Sequence, residues 1–359
     1  METKIVKVKT EDAALLSAAG AVIAGGGLVA FPTETVYGLG GDALNRESSE
    51  KIYAAKGRPS DNPLIVHISK TESVEKIAVD IPEEFYLLAE TFWPGPLTMI
   101  LKKNETVPRE TTGGLDTVAI RMPDHPVALA FIEAAGGYVA APSANVSGRP
   151  SPTLAGHVIE DMNGRIDMIL DGGDVGIGVE STIVDLTGEV PTILRPGYVT
   201  EEMLKRVLGK VDTDRAIMSP DSGQAPKAPG MKYRHYAPKG SLFLVEGSPE
   251  EVCGLMKQNL AEVKKTKAGC KTGVMASDEL LALLGELPDA DVKKSLGSQN
   301  DSGEIARRLY RVLREFDEEE VEVIYGESYS GDGFGQAVMN RLMKAAGYCI
   351  INKTKNKRG

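Results

Sequence analysis

From residue 241 onward the chain alternates without exception between short apolar runs and helical patterns. Strands are predicted at 241–246, 272–276, 292–297 and 321–325, and helices at 248–263, 278–286, 301–317 and 335–347. Strict alternation leaves little choice of fold. Neighbouring parallel strands need long crossovers, the crossovers are right-handed, and the helices they carry cover the sheet. Residues 241–350 are therefore expected to form a small doubly wound parallel α/β domain, followed by a basic tail at 351–359.

The first 210 residues are less regular. Apolar strand-like runs at 28–31, 64–68, 97–102, 117–121, 138–141, 167–170, 182–186 and 192–195 are interleaved with helical patterns and many Gly/Pro turns. The helices are predicted at 11–24, 46–56, 71–78, 83–91, 126–135, 153–162 and 200–208. This pattern predicts a mixed α/β domain with a large twisted sheet over 1–210. Between the two regions, residues 211–240 begin as a Pro-, Ser-, Asp- and Gly-rich linker without periodicity. The linker ends in "MKYRHYAP", two tyrosines, a histidine and two cations, an odd composition for a plain connector.

A length of 359 residues accommodates two domains, and 42% hydrophobic with 26% charged residues describes a globular chain. The net charge of −10 argues against a whole-surface affinity for nucleic acid, although it says nothing about one cleft. Cys253, Cys270 and Cys349 form no C-x-x-C pair, so neither a zinc site nor a disulfide framework is indicated, and a cytoplasmic setting is expected. The uncharged run 13–31 is rich in Ala and Gly and is broken at Gly25, Gly26 and Gly27. It reads as a helix followed by a buried strand, with no membrane span.

"KIYAAKGRPSDNPLIVHI" (51–68) carries the first chemistry. Lys56 closes a helix, Gly57 suits a left-handed cap and Arg58-Pro59 leaves it. In one reading Lys56 complements the helix dipole and Arg58 is solvated. In the other, both cations project from one turn into a cleft and hold phosphate. "VAAPSANVSGRPSPT" (139–153) ends a buried strand and then offers Ser143, Asn145, Ser147 and Ser151. Small polar groups at a strand's C-terminal edge are what the ligand crevice of an α/β sheet uses. "FPTETVYGLGGDA", "VAIRMPDHP", "GVESTIVD" and "TILRPG" bring Thr33, Thr35, Thr117, Arg121, Ser181, Thr182 and Arg195 to the ends of apolar strands. No P-loop, nucleophile elbow, Cys–His pair or H-E-x-x-H occurs. The residues alone thus describe an enzyme that binds phosphate and carboxylate without a P-loop.

Together with "FWPGPLT", these stretches resemble the threonylcarbamoyl-AMP synthase family, built on the YrdC-like domain. Seven motifs occur in the family's order over about residues 10–200, and the alternating region resembles the Rossmann-like C-terminal domain of its long form. The resemblance implies ATP-dependent condensation of L-threonine with bicarbonate or CO2, with Mg2+ carried by ATP and no protein metal site. Threonylcarbamoyl-AMP and pyrophosphate are the implied products. Other proteins would then transfer the threonylcarbamoyl group to tRNA beside the anticodon, and direct tRNA binding is not required. By motif matching, Lys56, Arg58, Ser143 and Asn145 are the implied catalytic set. Thr35, His67, Arg121 and Ser181 fall on the threonine side. Arg58, Asn62, Thr117, Ser143, Ser151 and Arg195 fall on the ATP side, with Tyr236 from the linker. The linker would fold over the site as a lid, Tyr233 and Tyr236 covering a base or ribose and Arg234 or His235 reaching a phosphate. Two rivals remain: carbamoyl transfer as in hydrogenase-maturation proteins, which are larger and carry zinc-finger cysteines, and an RNA-binding module.

Overall fold

The structure is a computed structural model that describes residues 2–214, 235–329, 331 and 333–353. It divides into two compact units, one comprising 1–147 and 151–233, the other 148–150 and 234–359. Among the described residues no helix is long and apolar enough to cross a membrane.

The first unit runs β1 (Lys4–Lys7), α1 (Ala13–Ala24), β2 (Val29–Phe31), β3 (Gly38–Asp42), α2 (Arg46–Lys56) and β4 (Ile65–His67). Next come β5 (Ala78–Val79), α3 (Glu83–Phe92), β6 (Leu97–Lys103), β7 (Thr117–Arg121), α4 (Pro126–Ala134) and β8 (Val139–Ala141). It closes with α5 (Ala155–Met162), β9 (Met168–Asp171), β10 (Thr182–Asp185), β11 (Thr192–Arg195), α6 (Glu201–Leu208) and β12 (Asp212–Thr213). The strands form one mixed sheet in the order β1-β9-β2-β3-β8-β4-β7-β6-β10-β11-β12, with β5 beside β6.

The period-2 alternation of the strands divides the sheet into two faces. One face carries Leu64, Val66, Val118, Ile120, Met99 and Leu101, and packs against Ile52 of α2, Leu88 of α3, Val158 of α5 and Leu204 of α6. The other is covered over β2, β8 and β9 by α1 and α4, through Leu16, Ile23, Phe131 and Ile132. Those two helices approach so closely that a side chain at Gly20 would place its Cβ 2.3 Å from the Ala134 carbonyl oxygen. Further along that second face lies a separate cluster of Ile65, Ile100, Ala119, Ile183 and Leu194. All five come from strands, no helix residue among the described ones belongs to this cluster, and it is here that polar strand ends gather.

Most predicted elements are present within a few residues of their expected ends, with two kinds of exception. The expected helix at 71–78 is a 3₁₀ helix, Thr71–Lys76, followed at once by β5. Only Val74 of that segment is buried, so it has no apolar stripe to sustain an α-helix. Five strands, β1, β3, β5, β12 and one near the C-terminus, are absent from the expected set. β3 reads "GLGGD", a composition that strands normally avoid. The packing explains it. A Cβ at Gly40 would lie 2.7 Å from Val139 Cγ1, and one at Gly38 would lie 3.0 Å from the Phe31 ring.

The second unit contains β13 (Ser241–Val245), α7 (Pro249–Thr266), β14 (Thr272–Ala276), α8 (Asp278–Leu284) and β15 (Val292–Ser295). It continues with α9 (Ser302–Glu318), β16 (Val323–Glu327), α10 (Gly335–Ala345) and β17 (Ile350–Ile351). The sheet order is β15-β14-β16-β13-β17, and every pairing is parallel. Helices α7, α8 and α9 start on side-chain caps: Ser248 with Glu251 in a capping box, Ser277, and Asp301. The doubly wound parallel domain expected from the alternation is the one observed.

Candidate active site

Strand register sorts the candidate residues into two rows on the helix-poor face. In the three central strands His67 stands beside Arg121 of β7 and opposite Val139 of β8. Thr98 of β6 stands opposite Arg121. Two residues back along β4, Ile65 pairs with Ala119 and Ala141. Continuing this register by two more residues brings Thr117, the first residue of β7, into line with Pro63 and Ser143, which lie beyond the ends of β4 and β8. Thr117 and Arg121 share one face of β7, about 13 Å apart along an extended strand. One sheet face therefore carries two polar ends with an apolar floor between them.

The Arg121 end is the more tightly built. Arg121 is buried, and its Nε donates to the Gly95 carbonyl at 3.3 Å while Nη1 donates to Thr35 Oγ1 at 2.9 Å. Thr35 in turn shares a 2.9 Å hydrogen bond with Thr33, whose hydroxyl is bonded to Val36 O at 2.6 Å. Nη2 of Arg121 lies 2.6 Å from Glu34 Oε1. Burial, helped by the Arg121 charge, pushes the His67 imidazole down to about 3, so the ring is neutral at physiological pH. Its Nδ1 lies 3.1 Å from Ile65 O and its ring packs edge-on against Phe31. Nearby, Ser181 Oγ and Thr98 Oγ1 are 2.7 Å apart. Arg195 holds Ser181 by its carbonyl at 3.0 Å and its hydroxyl at 3.1 Å. Arg195, assigned to the ATP side by motif matching, is thus tied to a residue assigned to the threonine side.

At the other end, α2 stops because Gly57 adopts a left-handed conformation, φ 60°. The two cations of the turn then part company. Arg58 is half-buried, and its guanidinium donates to Pro63 O at 3.1 Å and Asn62 O at 3.3 Å. Lys56 is only 1% exposed, and its ammonium donates to the carbonyls of Ser143 and Asn145 and to Asn145 Oδ1 at 3.3 Å. Ser147 N returns a bond to Lys56 O at 2.9 Å. Lys56 therefore joins the end of α2 to the 143–147 loop and does not stand free in a cleft. Ser143 donates to Asn145 Oδ1 at 2.5 Å, a bond between residues two apart, as the S-x-N spacing permits. Asn62 is buried, and its Oδ1 has no hydrogen-bond partner among the described residues.

Ser151 is buried and donates to Glu180 Oε1 at 2.5 Å. Tyr236 belongs to the second unit, where it is buried, has φ 65° and stacks on Tyr310 of α9 at 5.3 Å. Tyr233 and Arg234 lie outside the described residues, as does the greater part of the expected lid. Sequence reasoning built on hydroxyls and cations misses Glu34, Thr98 and Glu180, each of which is in contact with a candidate. Glu34 has a legible signal, a carboxylate between two threonines at the exit of an apolar strand. Thr98 has none, because a threonine inside an apolar strand is ordinary. Among the described residues no group of three His, Cys, Asp or Glu could hold a metal ion. The hydroxyls, amides and cations present suit phosphate oxygens better than a hard divalent cation.

A family model for the Sua5, YciO and YrdC proteins, described as telomere recombination, matches residues 21–197. A second, described as the threonylcarbamoyl-AMP synthase C-terminal domain, matches 199–347. The threonylcarbamoyl-AMP synthase of Pyrococcus abyssi is 49% identical over 346 residues, covering 96% of this chain and 98% of its own. That of Bacillus subtilis is 46% identical, covering 96% of each. The crystal structure of P. abyssi Sua5 complexed with L-threonine superposes with a TM-score of 0.90 at 48% identity, covering 98% of this chain and 99% of that one. Both units are thus accounted for by one kind of nucleotidyl-transferring enzyme, and the chain belongs to the threonylcarbamoyl-AMP synthase family.

Proposed function

We propose that the chain condenses L-threonine, bicarbonate or CO2, and ATP into L-threonylcarbamoyl-AMP and pyrophosphate, in the cytoplasm, as the first step of threonylcarbamoyladenosine formation in tRNA. The observation that carries this reading is the pair of polar ends on one sheet face, a buried arginine with hydroxyls at one and a basic turn with an S-x-N loop at the other. The P. abyssi relative's complex with L-threonine supports the amino-acid assignment.

The chemistry places an anion against an anion. Threonine's amine forms a carbamate with CO2, and a carbamate oxygen then attacks the α-phosphorus as pyrophosphate leaves. The barrier is largely electrostatic, so fixed donors and cations are the means of lowering it. Arg121 clamps the threonine carboxylate, a task that suits a planar guanidinium. Thr35 and Ser181 receive the substrate hydroxyl, and neutral His67 offers a hydrogen bond without adding charge. Arg58, Asn62, Thr117, Ser143, Ser151 and Arg195 take the nucleotide. Lys56 places positive charge behind the Ser143–Asn145 loop and holds that loop in shape. Mg2+, bound to the phosphates, would neutralise triphosphate charge. Transfer to tRNA belongs to downstream proteins.

Pyrophosphate release measured with threonine, bicarbonate and ATP omitted in turn tests the reading. Release is expected only with all three. Undiminished release in CO2-depleted buffer would mean simple amino-acid adenylation and would sink the carbamate route. A pocket that hydrogen-bonds the threonine hydroxyl should reject valine by roughly ten-thousandfold.

A further inference from the structure

Glu34 is a charged group at the Arg121 end to which the proposed reaction assigns no task. It lies between Thr33 and Thr35 beyond β2, with its carboxylate oxygen 2.6 Å from Arg121 Nη2. The charges touch, but the hydrogen bonds are unmade. Both Glu34 oxygens and Arg121 Nη2 are buried, and none of the three has a hydrogen-bond partner among the described residues. The rest of the guanidinium is engaged, Nε with Gly95 O and Nη1 with Thr35. A buried ion pair with unspent donors and acceptors is costly to maintain for stability alone. His125, also near Glu34, adds no second cation at neutral pH. Burial holds its imidazole below the usual range despite the opposing Glu34 charge, and its buried Nδ1 likewise lacks a partner among the described residues.

An α-amino acid carries the complementary pair of charges on one carbon. When the 2.6 Å contact opens to admit it, its carboxylate takes the Nη2 protons and its ammonium takes the Glu34 oxygens, so every unspent group is used. We infer that Glu34 is the anionic half of a zwitterion-binding pair and receives the α-ammonium of the amino-acid substrate. The inference rests on the reading that Arg121 receives the carboxylate. It also gives Glu34 a positioning role. An amine that keeps one N–H on Glu34 directs its lone pair away from that carboxylate, which sets the side from which CO2 is met.

The test uses the full chain and two ligands: L-threonine, and 3-hydroxybutanoate, which is threonine without the amine. In Glu34→Gln, calorimetry should show threonine binding weakened by about tenfold to a hundredfold, the range for hydrogen bonds to charged groups. Binding of 3-hydroxybutanoate should be unchanged or tighter, because a carboxylate competing for Arg121 has been neutralised. Equal weakening of both ligands would reduce Glu34 to a prop for Arg121 and overturn the inference, as would unchanged threonine affinity. If Glu34→Gln does not fold, Glu34→Asp is read the same way, with a smaller selective loss expected. Arg121→Lys separates the underlying reading. It should weaken both ligands, and if it weakens neither, the carboxylate assignment has failed whatever Glu34 does.

Discussion

Lys56 and Arg58 are two residues apart and differ in what they hold. Lys56 is buried against the carbonyls of Ser143 and Asn145, whereas Arg58 is half-buried and rests on the carbonyls of Asn62 and Pro63. Loss of a preorganised charge-stabilising donor costs on the order of a hundredfold in rate. Lys56→Ala and Arg58→Ala should both show that loss in pyrophosphate release. Only Lys56→Ala should also lower stability in urea unfolding, by about 1–3 kcal/mol, because it leaves buried carbonyls unpaired. Full activity in both variants would return the turn to a helix cap. His67 gives a pH prediction. Its folded value, near 3, lies below the ordinary value of about 6.5. Below pH 6.5 the unfolded chain therefore binds the proton that the folded chain refuses. The stability His67 contributes is present above about pH 6.5 and is lost as pH falls towards 3. Unfolding free energies of wild type and His67→Asn should converge over that window, by an amount on the order of a few kcal/mol. A constant difference between them would mean that His67 is not buried neutral.

At the scale of the element, two glycines have different reasons to be glycine. Gly57 ends α2 at φ 60°, and a Cβ there would meet nothing within 4 Å, so its constraint is conformational. Gly40 in β3 is constrained by packing, with Val139 Cγ1 at 2.7 Å and Val29 O at 3.1 Å from its would-be Cβ. Gly57→Ala should cost about 1–2 kcal/mol, and Gly57→Asn less, because asparagine tolerates the left-handed region. Gly40→Ala should cost about 1–3 kcal/mol through overpacking, and Gly40→Asn more still. Denaturant midpoints of the four variants check this. If asparagine were the milder change at both positions, the packing account of β3 would be wrong. The same contrast shows what a local pattern can reveal. The α2 cap was legible because Lys-Gly-Arg-Pro is a local stop signal. β3 was not, because its glycines answer to Phe31 and Val139, and Val139 is distant in sequence.

At the scale of the whole molecule, the net charge of −10 sets the outlook for nucleic acid. Non-specific tRNA affinity is mostly phosphate neutralisation and falls steeply with salt. An acidic chain should therefore form no stable complex with tRNA at physiological salt in the absence of ATP and threonine. A salt-sensitive mobility shift under those conditions would favour the RNA-binding reading over small-molecule chemistry.

The sequence by itself determined whatever local periodicity and local signals control. Strict alternation after residue 240 required a parallel doubly wound unit, and every pairing in the observed sheet is parallel. Apolar strands ending in Thr, Ser and Arg announced polar strand ends, and Thr35, Arg121, Ser181 and Arg195 are among the hydroxyls and cations bonded there. Partnership was decided only in three dimensions. Thr35, in the segment after β2, meets Arg121 of β7 across 86 residues of chain although three strands separate β2 from β7, and Thr98 meets Ser181 across 83 because β6 and β10 are paired. No local pattern encodes the sheet order or the course of the segments between strands, and together these bring scattered hydroxyls and charges to two polar ends of one sheet face. The burial that keeps His67 neutral and commits Lys56 to its loop has the same origin: the dielectric around a side chain belongs to the packed sheet, and not to the residue.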